Sequence, residues 1–545
     1  MEYHFASIWE SLADALADDT AVVHGDRRFT WTEYDERAAR MAGAFTTAGL
    51  GPNSKIGLYL YNGNEYLEAH YGAFKMRGVP INVNYRYIDE ELRYLLDNAD
   101  AEALVFHSSL GDRVERALGR LPKLKLLIEV DDGAVGRVPT ARKYEELLAS
   151  QEPMPRITRD ESDIYMLYTG GTTGMPKGVM YDMGSLTRAF ATLGFPLLGI
   201  VPPVDAADIA PMVTPIIKEG GRIISLSCAP LMHGTGVWLG AMIPQLAGAE
   251  VVTLQSRSLD ADEVLRTVQD ESVTNMTIVG DAFAKPIIAA IDRAAAAGTP
   301  YDLSRLKMII SSGVMWTAEV KEQLLDRVDH VILLDAIGSS EGSMGSSISM
   351  KGIPPTTAKF TRNPTTKVFT ADGREVVPGS DETGMVAISG GMVPLGYFKD
   401  EEKSALTFRT IAGVRYSFPG DMAQVAEDGT LILLGRGSQV INSGGEKIFP
   451  EEVEEAVKRV AGVVDCLVIG IDDDRFGQVV TAIASVSEGM TVTATQVING
   501  VRQDLAAYKA PKRVVFVAQV PRSPNGKADY KAARQFVIDD SGTTT

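Results

Sequence analysis

Short apolar runs alternate with segments of helical hydrophobic spacing through the first 150 residues. The runs at 20–24, 55–60 and 79–83 predict strands, and the segments at 32–50 and 65–77 predict helices. A further helix is predicted to start at Leu12. Strands that alternate with helices form parallel sheets covered on both faces. The pattern therefore predicts an α/β fold.

A glycine-rich stretch interrupts this pattern at residues 168–179, which read Tyr-Thr-Gly-Gly-Thr-Thr-Gly-Met-Pro-Lys-Gly-Val between two apolar runs. Glycine lets backbone N–H groups approach an anion closely, because no Cβ intervenes. Thr169, Thr172 and Thr173 add hydroxyl donors, and Lys177 adds a positive charge. This composition suits a polyphosphate; the alternative is a surface hairpin with a polar tip.

The stretch is not a Walker loop. That motif needs Gly-Lys-Ser/Thr at the start of a helix. Here Met175 and Pro176 separate the last glycine from Lys177, and Gly178 follows the lysine.

Three later predicted strands each end in a cluster of small or polar residues. The strands occupy 275–279, 306–310 and 330–334, and the clusters follow at 280–281, 311–313 and 335–342. In open α/β sheets, ligands bind in the crevice outside the carboxyl ends of the strands. The clusters therefore point to one binding site, on the same side as the glycine-rich stretch.

Composition narrows the class of protein. A net charge of −18 and a pI near 4.9 argue against nucleic acid as a partner, since phosphate binding needs a basic surface. The two cysteines, Cys228 and Cys466, exclude a disulfide framework and favour a cytoplasmic setting. The N-terminus lacks a signal-peptide pattern, and no run reaches the roughly 18 apolar residues of a membrane span.

A shift in composition at residues 433–450, rich in glycine and polar residues, predicts a domain boundary near Gln439. The expected domains are residues 1–438 and 439–545. The second is expected to be α+β, with helices at 450–460 and 494–505 and strands at 465–471, 479–486 and 513–517.

The glycine-rich stretch resembles the signature loop of adenylate-forming enzymes, which include acyl-CoA synthetases, luciferases and peptide-synthetase adenylation domains. Further segments resemble other motifs of this family in the same order: 229–236, 335–341, 390–397, 416–421, 433–450 and 521–528. The resemblance covers essentially the whole chain. It implies a large N-terminal domain of packed α/β subdomains, a small mobile C-terminal domain, and the use of ATP, Mg2+ and coenzyme A.

The resemblance also implies residue roles. Glu341 would hold Mg2+, and His233 would line the carboxylate pocket. Lys527 would reach the junction of carboxylate and ATP from a mobile loop. The nucleotide and CoA contacts implied are Thr169, Gly170, Gly171, Thr172, Thr173, Lys177, Ser312, Gly313, Asp335, Ala336, Ile337, Gly338, Ser339, Ser340, Asp421, Arg436, Gly444 and Gly445.

Three positions depart from the family pattern. Ile337 stands where an aromatic residue commonly stacks on adenine, Pro419 replaces a threonine before Gly-Asp, and Gln439 replaces the usual hinge Asp or Lys. Ile337 keeps an apolar face and Asp421 is retained, so ATP binding is still expected.

The resemblance implies an acid–CoA ligase. The carboxylate would attack ATP to give an acyl-adenylate and pyrophosphate, and the CoA thiol would then displace AMP. An aryl-acid ligase, a luciferase-type oxygenase and a non-catalytic acyl- or nucleotide-binding protein remain alternatives. A peptide-synthetase domain is disfavoured, because no carrier domain follows Lys527. The family also suggests a homodimer.

The Gly-Arg-Gly-Ser and Phe-Pro-Gly-Asp variants resemble those of bacterial fatty-acid and steroid-side-chain CoA ligases. Together with small residues in the implied acid pocket, this resemblance implies medium- or long-chain acids, or bulky alicyclic acids of the steroid type, rather than aryl acids. In particular, Ala336 and Gly338 leave depth for a large apolar group. The implied lining is His233, Met232, Asp281, Phe283, Ser311, Val314, Ala336 and Gly338.

Overall fold

The chain folds into two compact units. The first comprises Met1–Ser343, Ile348–Thr356 and Ser389–Ser417, and the second comprises Met344–Ser347, Thr357–Ile388 and the chain from Phe418 onward. The computed structural model describes residues 1–136, 138–169, 175–443, 446–473, 477–505, 507–522 and 527–542. The predicted contacts Gly170, Gly171, Thr172, Thr173, Gly444 and Gly445 lie outside these residues.

A largely parallel sheet carries the strand ends that the sequence marks as a binding site. All neighbours along it are parallel except the first pair. In spatial order its strands within the first unit are Arg27–Thr30, Thr20–His24, Glu250–Thr253, Ile224–Ser227, Asn275–Ile278, Met308–Ser312 and Ile332–Ser339.

A second sheet of the first unit is parallel throughout, and the predicted α/β class is confirmed. Its strands are, in spatial order, Val79–Asn82, Lys55–Tyr59, Ala101–His107, Leu126–Val130 and Arg142–Lys143. Helices connect the first four of these strands in chain order, as expected for this class, and Leu126–Val130 is followed by Arg142–Lys143 with no helix in the described residues between them. The longer α-helices of this unit are Phe5–Ala15, Trp31–Thr47, Asn64–Lys75, Asp89–Asn98, Met183–Leu197, Ala261–Asp270 and Gly280–Ala296; shorter ones are Gly111–Leu118, Tyr144–Ser150, Ile209–Ile216, Ile243–Leu246, Ala318–Leu325 and Glu401–Thr407.

A third, antiparallel sheet brackets the glycine-rich stretch. Strand Lys177–Asp182 lies between Ile164–Thr169 and the short strand Gly396–Tyr397. Strand Ile164–Thr169 is at the edge of this sheet. A hairpin joins Phe408–Ile411 to Val414–Ser417.

Large aromatic side chains form much of the core of the first unit. Phe5 stacks on Phe74 at 5.7 Å between ring centroids, and the Trp238 indole donates a hydrogen bond to the Tyr165 hydroxyl at 2.9 Å. These rings are almost fully buried. Burial of such rings dominates core energetics, so the supports of the predicted site are well packed.

The second unit contains two groups of strands. The first is antiparallel: Lys359–Arg362, Leu431–Arg436, Asp421–Val425, Gly384–Ile388 and Thr366–Phe369. The second contains Glu446–Ile448, Ile441–Ser443, Gly477–Val486, Val463–Asp473 and Arg513–Phe516. The helices of this unit are Pro450–Lys458, Ala494–Asp504 and Tyr530–Gly542.

Several sequence predictions were wrong in detail. The strand predicted at 306–310 is Met308–Ser312, so Ser311 and Ser312 belong to the sheet rather than to the cluster after it. The first helix begins at Phe5 rather than Leu12, because the His4 imidazole caps it by accepting a hydrogen bond from the Ala6 N–H at 3.1 Å. The strand predicted at 330–334 continues to Ser339, so Asp335 belongs to the sheet rather than to a loop. None of the helices in the described residues is long and apolar enough to cross a membrane.

Candidate active site

The glycine-rich stretch is closed at its base by a strand pair. Thr169 faces Lys177 in the antiparallel register. The Lys177 ammonium lies 3.1 Å from the Asp400 carboxylate and 5.3 Å from the centre of the Tyr397 ring. About a third of the lysine side chain is exposed. The register thus places one threonine hydroxyl and one cation where the chain enters and leaves the stretch.

The predicted metal ligand, Glu341, occupies a turn with Ser340 that follows strand Ile332–Ser339. The Tyr397 hydroxyl donates a hydrogen bond to Glu341 Oε1 at 2.8 Å. The Tyr181 hydroxyl donates to the Ser340 carbonyl oxygen. Tyr181 and Tyr397 both come from the sheet that brackets the glycine-rich stretch, so the two motifs lie together.

The backbone of this turn is itself constrained. The Glu341 N–H donates to the Ser339 hydroxyl oxygen at 3.1 Å. A Cβ at Gly338 would lie 3.0 Å from the Gly342 carbonyl oxygen, which is tighter than ordinary packing. Gly338 is exposed, whereas Ala336 and Ile337 are half-buried. The end of the strand therefore exposes backbone at Gly338, whereas Ser340 and Glu341 in the turn are half-buried.

Asp335 forms a buried ion pair with Lys321. Its Oδ2 lies 2.7 Å from Lys321 Nζ, and the ammonium also donates to the Thr356 carbonyl oxygen at 3.0 Å. Both side chains are almost fully buried. Burial raises the pKa of Asp335, although the Lys321 ammonium acts in the opposite direction. The pair fixes the strand from which the Ser340–Glu341 turn emerges.

The neighbouring strand end lies in register with this one. Ser312 is opposite Ala336, and Ser311 is opposite Asp335. The Ser311 hydroxyl oxygen accepts from the Gly280 N–H at 2.9 Å, and it is fully buried. Gly313 follows with φ of +93°, a conformation that glycine adopts without strain. Ser312 and Gly313 are thus brought beside Ala336, as the sequence predicts.

His233 lies in a turn before the π-helix Thr235–Met242. Its N–H donates to the Pro230 carbonyl oxygen at 3.0 Å, and its own carbonyl accepts from the Val237 N–H at 2.9 Å. The residue is half-buried. A half-buried histidine on a fixed turn can contact a ligand.

Within the second unit, Asp421 and Arg436 are paired. They face each other in register, with Arg436 Nε 3.5 Å from Asp421 Oδ1. The Arg436 N–H donates to Glu451 Oε1 at 3.4 Å. Burial, with a contribution from the Glu454 carboxyl, raises the pKa of Glu451 well above its ordinary value.

Lys527 is exposed in the second unit. The adjacent Ala528 forms a backbone bridge with Arg522. Two nitrogens of the Arg522 guanidinium each lie 2.6 Å from an oxygen of Asp465. Arg522 therefore fixes the backbone beside the predicted catalytic lysine.

Sequence reasoning missed three residues that fix the predicted site: Tyr397, Asp400 and Lys321. Tyr397 and Asp400 fall in or just after the 390–397 motif, but the pattern assigned them no partner. Lys321 occupies an otherwise ordinary amphipathic helix, Ala318–Leu325, and no local signal marks it.

Family comparison identifies the source of these motifs. A family model described as "AMP-binding enzyme" matches residues 9–398, and one described as "AMP-binding enzyme C-terminal domain" matches residues 452–527. The chain belongs to the AMP-binding enzyme family. The predicted resemblance is confirmed.

Curated relatives of this AMP-binding enzyme match along their whole length. A 3-oxocholest-4-en-26-oate–CoA ligase of Rhodococcus rhodochrous is 38% identical, with 98% of this chain and 96% of the relative covered. The medium-chain acyl-CoA ligase Mig of Mycobacterium avium is 38% identical, with 98% of each chain covered. The predicted enzyme class, an acid–thiol ligase, is confirmed.

Solved structures share the fold. ATP-bound MatB from Rhodopseudomonas palustris superposes with a TM-score of 0.82 at 21% identity, covering 99% of both chains. The anthranilate CoA ligase AuaEII in complex with anthranoyl-AMP gives 0.83 at 22% identity, covering 99% of this chain and 98% of its own. The predicted fold class is confirmed.

Proposed function

We propose that this AMP-binding enzyme is an ATP-dependent acid–CoA ligase acting on medium- or long-chain fatty acids or on bulky alicyclic acids of the steroid type. The observation that carries the proposal is the match to fatty-acid and steroid-acid CoA ligases over 98% of the chain. The geometry supports it, because the Lys177 ammonium and the Glu341 carboxylate both contact Tyr397, and Thr169 lies opposite Lys177 in register.

The chemistry proceeds in two steps. A carboxylate oxygen of the acid attacks the α-phosphorus of ATP; the new P–O bond gives an acyl-adenylate, and pyrophosphate leaves. The CoA thiol, losing its proton, then attacks the acyl carbonyl carbon, and AMP leaves as the C–O bond breaks. The first step brings negative oxygens together, so fixed positive charge lowers its barrier.

Lys177 and the Thr169 hydroxyl are suited to the phosphates, since they stand at the two ends of the glycine-rich stretch. Lys177 is already partly desolvated and paired with Asp400. A phosphate can replace that carboxylate as its partner. Ser312, Ala336 and the exposed Gly338 offer small groups and backbone beside the same strand ends.

The carboxylate of Glu341 fits Mg2+. This cation prefers oxygen ligands, and in nucleotide sites it is usually bound by one or two carboxylates together with phosphates. Glu341 Oε1 is oriented by the Tyr397 hydroxyl, an arrangement typical of metal-binding carboxylates. Bound Mg2+ would supply charge neutralisation between phosphate oxygens.

In the second unit, Asp421 is suited to the ribose hydroxyls, with Arg436 beside it. Lys527 is suited to neutralise charge during adenylation. We propose that the chain after Gln439 acts as the mobile domain that brings Lys527 to the reacting groups and then withdraws it, as in other enzymes gated by a lid. His233 would line the acid pocket. A homodimer is the proposed oligomeric state, testable by sedimentation.

A pyrophosphate-release screen tests the proposal. Acids of graded size, from acetate through decanoate to a steroid side-chain acid, are supplied with ATP and Mg2+, with and without CoA. We expect acyl-CoA and AMP from the larger apolar acids. Preference for benzoate over decanoate would favour an aryl-acid ligase. Nucleotide binding without pyrophosphate release from any acid would contradict the proposal.

A further inference from the structure

Asn82 contacts two separate segments of the candidate active site. It is the last residue of strand Val79–Asn82, and 7% of it is exposed. Its Nδ2 donates to the Tyr168 carbonyl oxygen at 2.8 Å and to the Met232 carbonyl oxygen at 2.7 Å. Its Oδ1 accepts from the Tyr168 N–H at 2.7 Å.

The contact with Tyr168 satisfies backbone groups on the edge strand of a sheet, at a residue that is itself buried. Strand Ile164–Thr169 lies at the edge of its sheet, so its outward backbone groups lack a neighbouring strand. The Asn82 side-chain amide forms hydrogen bonds with both the N–H and the C=O of Tyr168, as the backbone of a neighbouring strand would. Tyr168 is the first residue of the glycine-rich stretch, and Thr169 follows it.

The contact with Met232 fixes the other segment. Met232 precedes His233, and its carbonyl oxygen accepts the second hydrogen of the same Nδ2. Because both hydrogens and the oxygen of one buried amide are used, a shift of either segment would break a hydrogen bond in a site with little access to water. Asn82 therefore joins the two segments through a single rigid group.

We infer that Asn82 is a positioning residue that couples the nucleotide-binding stretch to the His233 turn of the acid pocket. This inference rests on the proposed function for the roles of the two segments. Among the described residues, Asn82 hydrogen-bonds only to backbone atoms of Tyr168 and Met232, so it acts through other residues and is not a catalytic group.

The chain offers a matched control in Asn62. Its Oδ1 accepts from the Leu231 N–H at 2.8 Å, and its Nδ2 donates to the Ala229 carbonyl oxygen at 3.1 Å. It thus holds the His233 turn through the same chemistry. Within the part of the chain that the structure describes, the side-chain hydrogen bonds of Asn62 reach that turn alone, unlike those of Asn82.

The kinetic test compares Asn82→Leu with Asn62→Leu in the full chain, with ATP and decanoate as probes. Loss of a buried hydrogen-bonding group commonly changes an affinity by about tenfold. We expect Asn82→Leu to raise KM for ATP and KM for decanoate together by about this factor. Asn62→Leu should raise KM for decanoate while KM for ATP stays within about twofold. The same pattern in both variants, or a fall in kcat with both KM values unchanged, would overturn the inference.

A second measurement, hydrogen exchange, does not depend on catalytic activity. Hydrogen exchange should become faster at residues 164–169 and 229–233 in Asn82→Leu, but only at 229–233 in Asn62→Leu. Unchanged exchange at 164–169 in the Asn82 variant would overturn the coupling. If wild-type protein released no pyrophosphate with any acid, the proposed function would fail, and exchange would still decide the role of Asn82. Asn82→Ser, which leaves room for water, replaces Asn82→Leu if the latter lacks wild-type tryptophan emission.

Discussion

The Tyr397 hydroxyl lies 2.8 Å from Glu341 Oε1, although 56 residues separate them in the chain. Tyr397 is 7% exposed, and its strand pairs with Lys177–Asp182. One oxygen of the carboxylate is therefore held by the sheet that brackets the glycine-rich stretch. Outer-sphere hydrogen bonds of this kind orient a carboxylate before a cation arrives.

We expect Tyr397→Phe to weaken Mg2+ binding, because Glu341 loses the hydrogen bond that fixes its orientation. The concentration of Mg2+ that gives half-maximal pyrophosphate release should rise by about tenfold. Tyr144→Phe is the control, since it removes an equivalent hydrogen bond, of 2.7 Å, to the buried Glu68. An unchanged Mg2+ dependence in Tyr397→Phe would show that the hydroxyl does not support a metal ligand.

Removing the charge of Asp400, the partner of Lys177, should increase the affinity of the enzyme for ATP. Asp400 competes with phosphate for the ammonium, and it also caps helix Glu401–Thr407 through the Lys403 N–H. Asp400→Asn removes the charge and keeps an oxygen for the cap. Because partly exposed pairs contribute about 0–1 kcal/mol, KM for ATP should fall by up to about fivefold.

The control for Asp400→Asn is Asp182→Asn, at the cap of helix Met183–Leu197, where an oxygen likewise remains for the Ser185 N–H. KM for ATP should be unaltered by that change. A rise in KM in Asp400→Asn would mean that the carboxylate positions Lys177 for phosphate rather than competing for it.

Elements with strong hydrophobic periodicity were predicted from the sequence almost to their ends. The predicted helix at 450–460 corresponds to Pro450–Lys458, and the predicted strand at 479–486 to Gly477–Val486. Such elements are specified locally, by the spacing of residues that must face the core. The family resemblance likewise brought Glu341 and Lys177 into one prediction, although Lys177 begins a strand of the antiparallel sheet and Glu341 follows a strand of the parallel one.

Contacts between distant side chains could not be predicted in this way. Nothing in the spacing around Lys321 indicates that its ammonium pairs with Asp335, because the pair depends on how a helix packs on a strand. The same holds for Tyr397 and Glu341, and for the cap supplied by His4. A histidine is an uncommon cap, so the helix start escaped the usual signals.

Loss of the Lys321 ammonium should strongly destabilise the first unit. Lys321→Met leaves the Asp335 carboxylate buried without its cation, and removing one partner of a buried pair costs about 3–5 kcal/mol. Urea unfolding followed by tryptophan emission measures this, since Trp316 lies 5.5 Å from Lys321 Nζ. Lys321→Met combined with Asp335→Asn should recover much of the loss. Equal instability of the single and double variants would contradict the unpaired charge as its cause.

Deprotonation of the buried Glu250 carboxyl should lower the free energy of unfolding of the first unit as pH rises. Burial raises the pKa of its carboxyl to about 7, with Arg222 acting in the opposite direction. The folded state therefore binds more protons than the unfolded state between the ordinary pKa of 4.5 and about 7. The stabilisation is full below that window and is lost across it, with a slope of at most about 1.4 kcal/mol per pH unit.

Glu250→Gln should remove this slope. Urea unfolding at pH 5, 6, 7 and 8, followed by tryptophan emission, compares it with wild type. The exposed Glu115→Gln is the control and should keep the wild-type slope. Parallel curves for wild type and Glu250→Gln would contradict the assignment.

Lys527 should accelerate the adenylation step but not the later formation of the thioester. Lys527→Ala is expected to slow pyrophosphate formation in the absence of CoA by about 100- to 1,000-fold, because a charge that offsets the transition state is lost. Thioester formation from supplied acyl-adenylate should stay within about threefold of wild type, since the α-phosphate is not attacked in that step. Unaltered adenylation would refute the role given to this lysine.

Arg522 supplies the complementary test, because it fixes the backbone beside Lys527 without being the cation itself. Its pair with Asp465 and its bridge to Ala528 make it an anchor of that segment. Arg522→Met should slow adenylation by about tenfold while Lys527 is retained, since a misplaced catalytic group loses part of its effect. Arg459→Met removes another pair of the same unit, 2.8 Å from Asp504, and should leave adenylation unchanged. If both arginine variants slowed adenylation equally, the cause would be general destabilisation of the unit rather than placement of Lys527.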